Sequence, residues 1–454
     1  MSNFESGGYS SAIATAILLA IAVGHSDTAS AATITVTNCN DNGTGSLRSA
    51  VFRAASGDTI DLAHLACSRI VLTSGQIVIN QQNLKLVGRS RDALTIDGNL
   101  SDRVLFHTWR DTGRLRLEHL SVARGFRTQA DDPGSNLTVG GCIRADSDLD
   151  LYRTRIHHCT VEPGNGGGMF VFGDASVSRS LFLSNVARGD EEFVGAGGGL
   201  YVRQHLILDH SRVSTNQATA GGGVIAGNPE LRYSLVDHNR GTGVLSFRGP
   251  ASIIKSTIAD NDAGGDGPGG LEIFNLDNTP GSLIAHSTIS RNRSAFKSAV
   301  DIYGDATVVN STVAFNRESK EGVPSCGGAL AFRGVLHLES TIVASNLCAG
   351  THTLDLAGTE SASVIGSHNL IGKYNLPVPA DTLSLSPRLG TLANNGGPTP
   401  TDALLCGSPA IDRGNNVLRF AYDQRGPGYA RVAGARTDIG AFELQNPSMC
   451  GASP

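Results

Sequence analysis

Short apolar alternations punctuated by glycine dominate the middle of the chain. A glycine pair or triple opens the pattern at Gly140-Gly141-Cys142-Ile143, Gly166-Gly167-Gly168-Met169, Gly197-Gly198-Gly199-Leu200 and Gly221-Gly222-Gly223-Val224. It returns at Gly269-Gly270-Leu271 and Gly327-Gly328-Ala329-Leu330, with Gly243-Val244 a reduced copy. Downstream of each runs Ser-x-apolar-x-x-Asn, as Ser180/Asn185, Ser211/Asn216, Ser234/Asn239, Ser256/Asn261, Ser287/Asn292 and Ser311/Asn316. Ser340 heads a copy whose Asn346 comes one residue late, and Thr154 and Cys159 hold the two places in an early one. Alternation with period two marks a strand with one buried face. Each repeat therefore predicts short strands joined by tight corners.

The Asn-to-Asn steps are 31, 23, 22, 31, 24 and 30 residues. A period in this range with short strands means a solenoid, in which no coil buries its apolar face alone. Helical repeats need longer segments with less glycine, and no leucine-rich consensus is present. The variable period predicts a parallel β-helix whose loops differ in length at one corner. Coils stacked about 4.8 Å apart place the same residue of successive coils over itself. An Asn column can then take the left-handed conformation and hydrogen-bond along the stack. The glycine column supplies positive φ and close backbone approach. Both columns read as corner-building, without chemistry of their own.

Composition agrees. The 454 residues include 56 Gly, about 12%, too many for a helical protein. No three-residue glycine period exists, and 16 Pro are too few for collagen. Hydrophobic residues at 40% and a net charge of −5 exclude a disordered chain, and no basic stretch marks a nucleic-acid binder. Residues Ala12 to Val23 form an apolar run too short to cross a bilayer, followed by Ala29-Ser30-Ala31 as a cleavage site. This reads as a secretory signal peptide, atypical in having no Lys or Arg among its first eleven residues. Eight cysteines suit an oxidising compartment. Eight allow 105 pairings; sequence neighbourhood favours Cys39–Cys67, Cys142–Cys159, Cys326–Cys348 and Cys406–Cys450.

These strings resemble the right-handed parallel β-helix (pectate-lyase-like) superfamily. The Gly-Gly-x-apolar strings and Phe182-x-x-Asn185 are also similar to repeats of polymorphic outer-membrane proteins. Thr35-Val36-Thr37-Asn38, Gly45-Ser46-Leu47-Arg48-Ser49-Ala50 and Gly57-Asp58-Thr59-Ile60 are similar to the first coils of exported bacterial β-helix proteins. Asn395-Gly396-Gly397-Pro398-Thr399, Gly407-Ser408-Pro409-Ala410-Ile411-Asp412, Asp423-Gln424-Arg425-Gly426 and Asp438-Ile439-Gly440-Ala441-Phe442-Glu443 resemble the choice-of-anchor Q domain. The resemblance implies an all-β solenoid with five parts. Residues 1–31 are the signal peptide, 32–80 an N-terminal cap with entry strands, and 81–384 the coils. Residues 385–443 form a C-terminal cap, and 444–454 a tail. Ser46 is placed to N-cap a short helix through about Ala55, with Leu47, Val51 and Phe52 on one face. Anchor-domain families commonly carry a sorting or membrane signal after this domain. The last eleven residues contain no hydrophobic tail, and no translocating barrel is evident. The expectation is a monomer, secreted or at the cell surface, with no membrane span after signal cleavage.

Period two also sorts the strand after each glycine corner. Met169, Leu200, Val224, Val244, Leu271, Val300 and Leu330 should point inward. So should Val171, Val202, Ala226, Ser246, Ile273, Ile302 and Phe332. One outward column then reads Phe172, Arg203, Gly227, Phe247, Phe274, Tyr303, Arg333. The other reads Phe170, Tyr201, Ile225, Leu245, Glu272, Asp301, Ala331. Aromatics are only 5% of the chain, so their gathering here is informative. Exposed rings in a line offer a sugar chain flat apolar faces. Phe172, Arg203, Phe247, Phe274, Tyr303 and Arg333 are the candidate ligand-binding residues.

Glu272 and Asp301 fall at the same register on consecutive coils, a spacing that suits an acid and a nucleophile or base. Asp260, Asp262 and Asp266 offer oxygen ligands for calcium in the loop leading to Leu271. The competing expectation is that loops 187–196 and 264–270 fold over the sheet and bury these residues. Pectin-cleaving relatives carry Asn-Thr-Asp, Gly-His-Gly and Arg-Ile-Lys strings, all absent here. Lyases of the fold use Arg or Lys as base, and Arg248, Lys255, Lys297 and Arg333 lie near the strand without one standing out. His157 and His158, adjacent on a strand, should point to opposite faces and chelate nothing together. Gly195 to Gly199 has no Lys-Ser/Thr after it and is no phosphate loop. Three functions remain in play. The first is binding of a glycan or another surface, the second a polysaccharide lyase or hydrolase, the third a structural or passenger filament.

Overall fold

The computed structural model describes residues 31–446 and 450, apart from 111, 132–137, 266, 276–280, 296–297, 319–326 and 349–353. The chain forms a parallel β-solenoid. A twelve-stranded sheet takes one strand from each coil, from Arg69–Val71 to Leu370–Ile371. A 22-stranded sheet carries the strands after the glycine corner and the strands that follow them. In two coils these fuse into the long strands Leu200–Asp209 and Val224–Arg232. Short sheets such as Phe126–Thr128, Thr160–Glu162 and Val186–Ala187 line the remaining corner.

The inward set is as period two requires. Met169, Leu200, Val224, Val244, Leu271, Val300 and Leu330 are wholly buried, and the residues two further on are buried with them. They belong to one continuous core running the length of the stack. In the triple Gly197 to Gly199, the last two glycines are needed for clearance. A Cβ on Gly198 would lie 2.5 Å from Gly222 O, and one on Gly199 would lie 2.6 Å from Gly223 O.

The corners differ from expectation in one respect. The left-handed residue is the one before each ladder Asn, not the Asn itself. Ser184, Thr215, His238, Asp260 and Arg291 have φ of 55°, 58°, 54°, 53° and 61°. This frees the Asn side chain to point inward along the stack. Asn216 Nδ2 donates to Asn239 Oδ1 at 3.0 Å and to Phe182 O at 3.1 Å. Asn216 N donates to the same Oδ1 at 2.9 Å. The pattern runs from Asn185 to Asn346, where Asp355 Oδ1 takes the final place. A parallel ladder of hydroxyls joins Ser180, Ser211, Ser234, Ser256, Ser287 and Ser311 through N–H donors of the preceding coil.

At the N-terminal end the helix Leu47–Arg53 is N-capped by Ser46, whose side chain accepts from Ser49 N. Its buried face is Leu47, Ala50 and Val51, whereas Phe52 is 89% exposed. Residues at i, i+3 and i+4 share a helix face, and Phe52 lies about 100° further round than Val51.

The segment from 385 onward takes a position the sequence did not announce. It doubles back along the outer face of the twelve-stranded sheet. Lys255 Nζ donates to Tyr422 O and Asp423 O at 2.8 and 2.7 Å. Gln424 bridges Thr257 and Thr288, and Ala441 N reaches Thr312 Oγ1 at 3.1 Å. Leu404, Ala410, Ile439 and Phe442 pack on Ile342, Ala344 and Leu370. Beneath this segment the strands Thr257–Ala259, Thr288–Ser290, Thr312–Ala314 and Ile342–Ala344 are buried on both faces.

Three disulfides join near neighbours, Cys39–Cys67, Cys142–Cys159 and Cys406–Cys450. Cys348 is also disulfide-bonded. Cys326 lies outside the described residues, as does the apolar run Ala12 to Val23. No helix among the described residues is long and apolar enough to cross a membrane.

Candidate ligand-binding face

The outward columns form in the register the sequence predicts. Phe170 pairs with Tyr201, Tyr201 with Ile225, Leu245 with Glu272, and Glu272 with Asp301. Phe274 pairs with Tyr303, and Tyr303 with Arg333. Coil spacing near 4.8 Å is also the distance at which flat rings stack. Phe170 and Tyr201 do so, with centroids 4.8 Å apart and planes 16° from parallel. Phe274 and Tyr303 stack at 4.6 Å, and the Arg333 guanidinium lies 3.9 Å from the Tyr303 centroid. Phe247 leans on Tyr201 at 5.6 Å. In these two stacked pairs the rings therefore spend faces on each other. Burial of Tyr201 raises its hydroxyl pKa.

Glu272 and Asp301 stand side by side but under cover, at 6% and 4% exposure. Asp301 Oδ1 is bound by Arg333 at 2.8 Å. The ion pair and the cover together leave the Asp301 carboxylate closed to a substrate. Asp260 is ion-paired with Arg291 at 2.8 Å, and Asp262 Oδ1 accepts from Gly264 N at 3.0 Å. Asp266 lies outside the described residues. No group of three potential metal ligands is assembled among the described residues.

The histidine pair corrects the sequence reading. His158 has φ +55° and lies past the strand Arg155–His157, so strict alternation ends before it. Its ring swings back until the two Nδ1 atoms are 2.8 Å apart. Burial, with His158 and Arg155 beside it, lowers the His157 pKa to about 4. His157 is thus neutral near pH 7, and one Nδ1 donates to the other.

An open groove of ≈ 610 Å³ lies toward the N-terminal end of the face. Phe172, Arg144, Arg110, Asp146, Asp174 and Gln204 are among its walls. Phe172 is half-buried on its floor. The Arg144 guanidinium sits between two rings, 4.6 Å from the Phe106 centroid and 5.6 Å from that of Phe172. Asp146 fixes it through Nε at 2.7 Å. Arg203 approaches the same Phe172 ring at 5.4 Å. Asp148 takes Arg114 at 2.8 Å and Asp174 N at 2.9 Å. The result is a set of planar donors and acceptors around one aromatic ring, of which Arg144, Asp146 and Asp148 are held by close ion pairs.

Of the sequence candidates, Phe172 lines this groove, and Arg203 is beside its ring. Phe247, Phe274, Tyr303 and Arg333 continue the face away from it. The residues missed are Arg144, Phe106, Arg110, Asp146, Asp174 and Gln204. Arg144 was within reach of the pattern, since it follows Gly140-Gly141-Cys142-Ile143 at the outward position and pairs with Phe170 and Phe106. Extending the column one coil toward the N-terminus finds it, and a second coil finds Phe106.

No protein-family profile matches the chain. No curated protein matches it. The crystal structure of pectate lyase Pel9A aligns with 91% of this chain and 97% of its own at 14% identity, with a TM-score of 0.44. At that distance the likeness says nothing about activity, and the solenoid rests on the strand pairing described above.

Proposed function

We propose that the protein is an exported solenoid that binds a glycan in the groove over Phe172. The observation that carries this reading is the groove itself. It is large enough for a few sugar rings and combines one aromatic floor with planar side chains fixed by ion pairs. Sugars are recognised by such a combination, because ring C–H faces pack on an aromatic while paired hydroxyls bond to fork-shaped donors and carboxylates. Preorganised side chains lose little entropy on binding. The disulfides support an oxidising compartment outside the cytosol.

The reading is tested by a glycan array followed by calorimetry on any hit. Phe172→Ala and Arg144→Gln should each weaken binding at least tenfold while leaving the melting temperature within a few degrees. Equal affinity of wild type and both variants refutes the site. Release of reducing ends or unsaturated products from a bound polymer, abolished in Glu272→Gln, would replace it with an enzyme.

A further inference from the structure

A different surface lies one residue beyond the asparagine ladder. Gln217, Arg240, Asp262 and Arg293 bridge in succession from coil to coil, and Arg293 pairs with Arg317. They form a single file that advances about 4.8 Å per coil. All five are exposed. Among the described residues, Arg240, Arg293 and Arg317 have neither an ion pair nor a side-chain hydrogen bond. Two arginines near the row are tied instead, Arg291 to Asp260 and Arg188 to Glu162. Arg293 and Arg317 are like charges on adjacent coils, an arrangement that is unfavourable without a counter-anion. Beside the row runs a second groove of ≈ 430 Å³, walled by Arg188, Gln217, Thr219, Arg240 and Asp262.

We infer that this corner is a docking strip for a linear acidic polysaccharide. Carboxylate or sulfate groups along one chain would meet Arg240, Arg293 and Arg317 in single file. Guanidinium forks suit such oxyanions. A single line of charge fits one chain better than the broad surface of a duplex. Single-stranded nucleic acid calls for aromatic side chains on which bases stack, and the five residues of the file include none. Asp262 stands between Arg240 and Arg293 and repels the same ligand. The strip is independent of the groove over Phe172, being carried by other residues on another corner.

The test is binding of dextran sulfate and of alginate, with neutral dextran and oligo(dT) as controls, across a salt series. Wild type should bind one or both acidic polymers, with log K falling by about two per decade of salt for three neutralised charges. Arg240→Gln/Arg293→Gln/Arg317→Gln should lose at least tenfold and most of the salt slope. Asp262→Asn should tighten binding several-fold. Circular dichroism checks that the variants fold, and Arg317→Glu alone gives a second, single-site loss. The inference is overturned if the triple variant binds like wild type, if neutral dextran binds equally, or if oligo(dT) binds as tightly as the acidic polymers.

Discussion

Replacing Asn239 by Ala tests how much of this solenoid is held by its internal ladder. Asn239 is 1% exposed and sits mid-stack. Its Oδ1 accepts from Asn216 N at 2.9 Å and from Asn216 Nδ2 at 3.0 Å. Its Nδ2 donates to Val213 O at 3.0 Å and to Asn261 Oδ1 at 2.8 Å. Truncation removes all four bonds. Asn261 Oδ1 keeps Asn239 N as a donor, and Asn216 Nδ2 keeps Phe182 O, so neither is wholly orphaned. The Asn216 N–H and the Val213 carbonyl lose these partners in a dry interior. At about 1–3 kcal/mol for each of the two buried groups left unmet, the loss is roughly 2–6 kcal/mol. Ser234→Ala is the comparison. It takes an acceptor from Ser211 N at 3.1 Å and one hydroxyl donor shared by Leu208 O and Arg232 O at 2.9 and 2.8 Å, fewer groups than Asn239 serves, so the expected loss is smaller, about 1–3 kcal/mol. Urea denaturation gives the two values. Hydrogen exchange should show lost protection confined to the coils on either side, because each coil contacts only its neighbours. A loss under about 1 kcal/mol for Asn239→Ala, or one equal to that of Ser234→Ala, would refute the assignment of stability to the ladder.

Other consequences can be checked separately. Burial raises the Asp402 pKa to about 7 and, with Asp438 adjacent, that of Glu443 to about 8. Acids whose pKa is raised on folding bind more protons in the folded state, so stability is full below about pH 4 and falls as pH rises toward 7 to 8. Limited proteolysis of the C-terminal segment should therefore quicken between about pH 5 and 8, and Asp402→Asn should flatten that profile. Removing Cys406–Cys450, which closes a 44-residue separation, should cost about 4 kcal/mol by loop entropy, read as a lowered melting temperature. Lys255→Met should loosen the same segment, since its ammonium holds Tyr422 O and Asp423 O, and exchange of residues 420–425 should report it.

The fold was legible because a solenoid writes the same constraint many times. Gly198 and Gly222 face one clash, and Asn216 and Asn239 make one bond, so each repeat confirms the last. Neighbouring cysteines were legible for the same reason: Cys142 and Cys159 fall on corners of the stack close enough to bond. The left-handed positions were not, because Ser184, Thr215, His238 and Asp260 share no residue type. What they share is backbone geometry, imposed by the Asn that follows.

The site was half legible, and the physical reason lies in what covers each face. Period two says which residues leave the core, but not what they meet outside it. Asp301 and Arg203 are both outward, yet one is sealed at 4% exposure by Arg333 and the other is open. The twelve-stranded sheet shows where a cover can be read from residue type. Its outward residues include Arg155, His157, Arg212 and Asp237 away from the C-terminal segment. They become Thr257, Ala259, Thr288, Thr312 and Ala314 where that segment lies. A change from charged to small neutral residues at outward positions therefore marks a docked segment in the amino-acid pattern alone. On the other sheet the criterion holds for Arg203 and Arg333, which are exposed, and for Ile225 at 3% exposure, and it fails at Glu272 and Asp301, which are charged yet 6% and 4% exposed. Outward positions that stay charged or planar without a cover are the ones left able to meet a ligand, which is why the proposed glycan site is built on the residues gathered around Phe172.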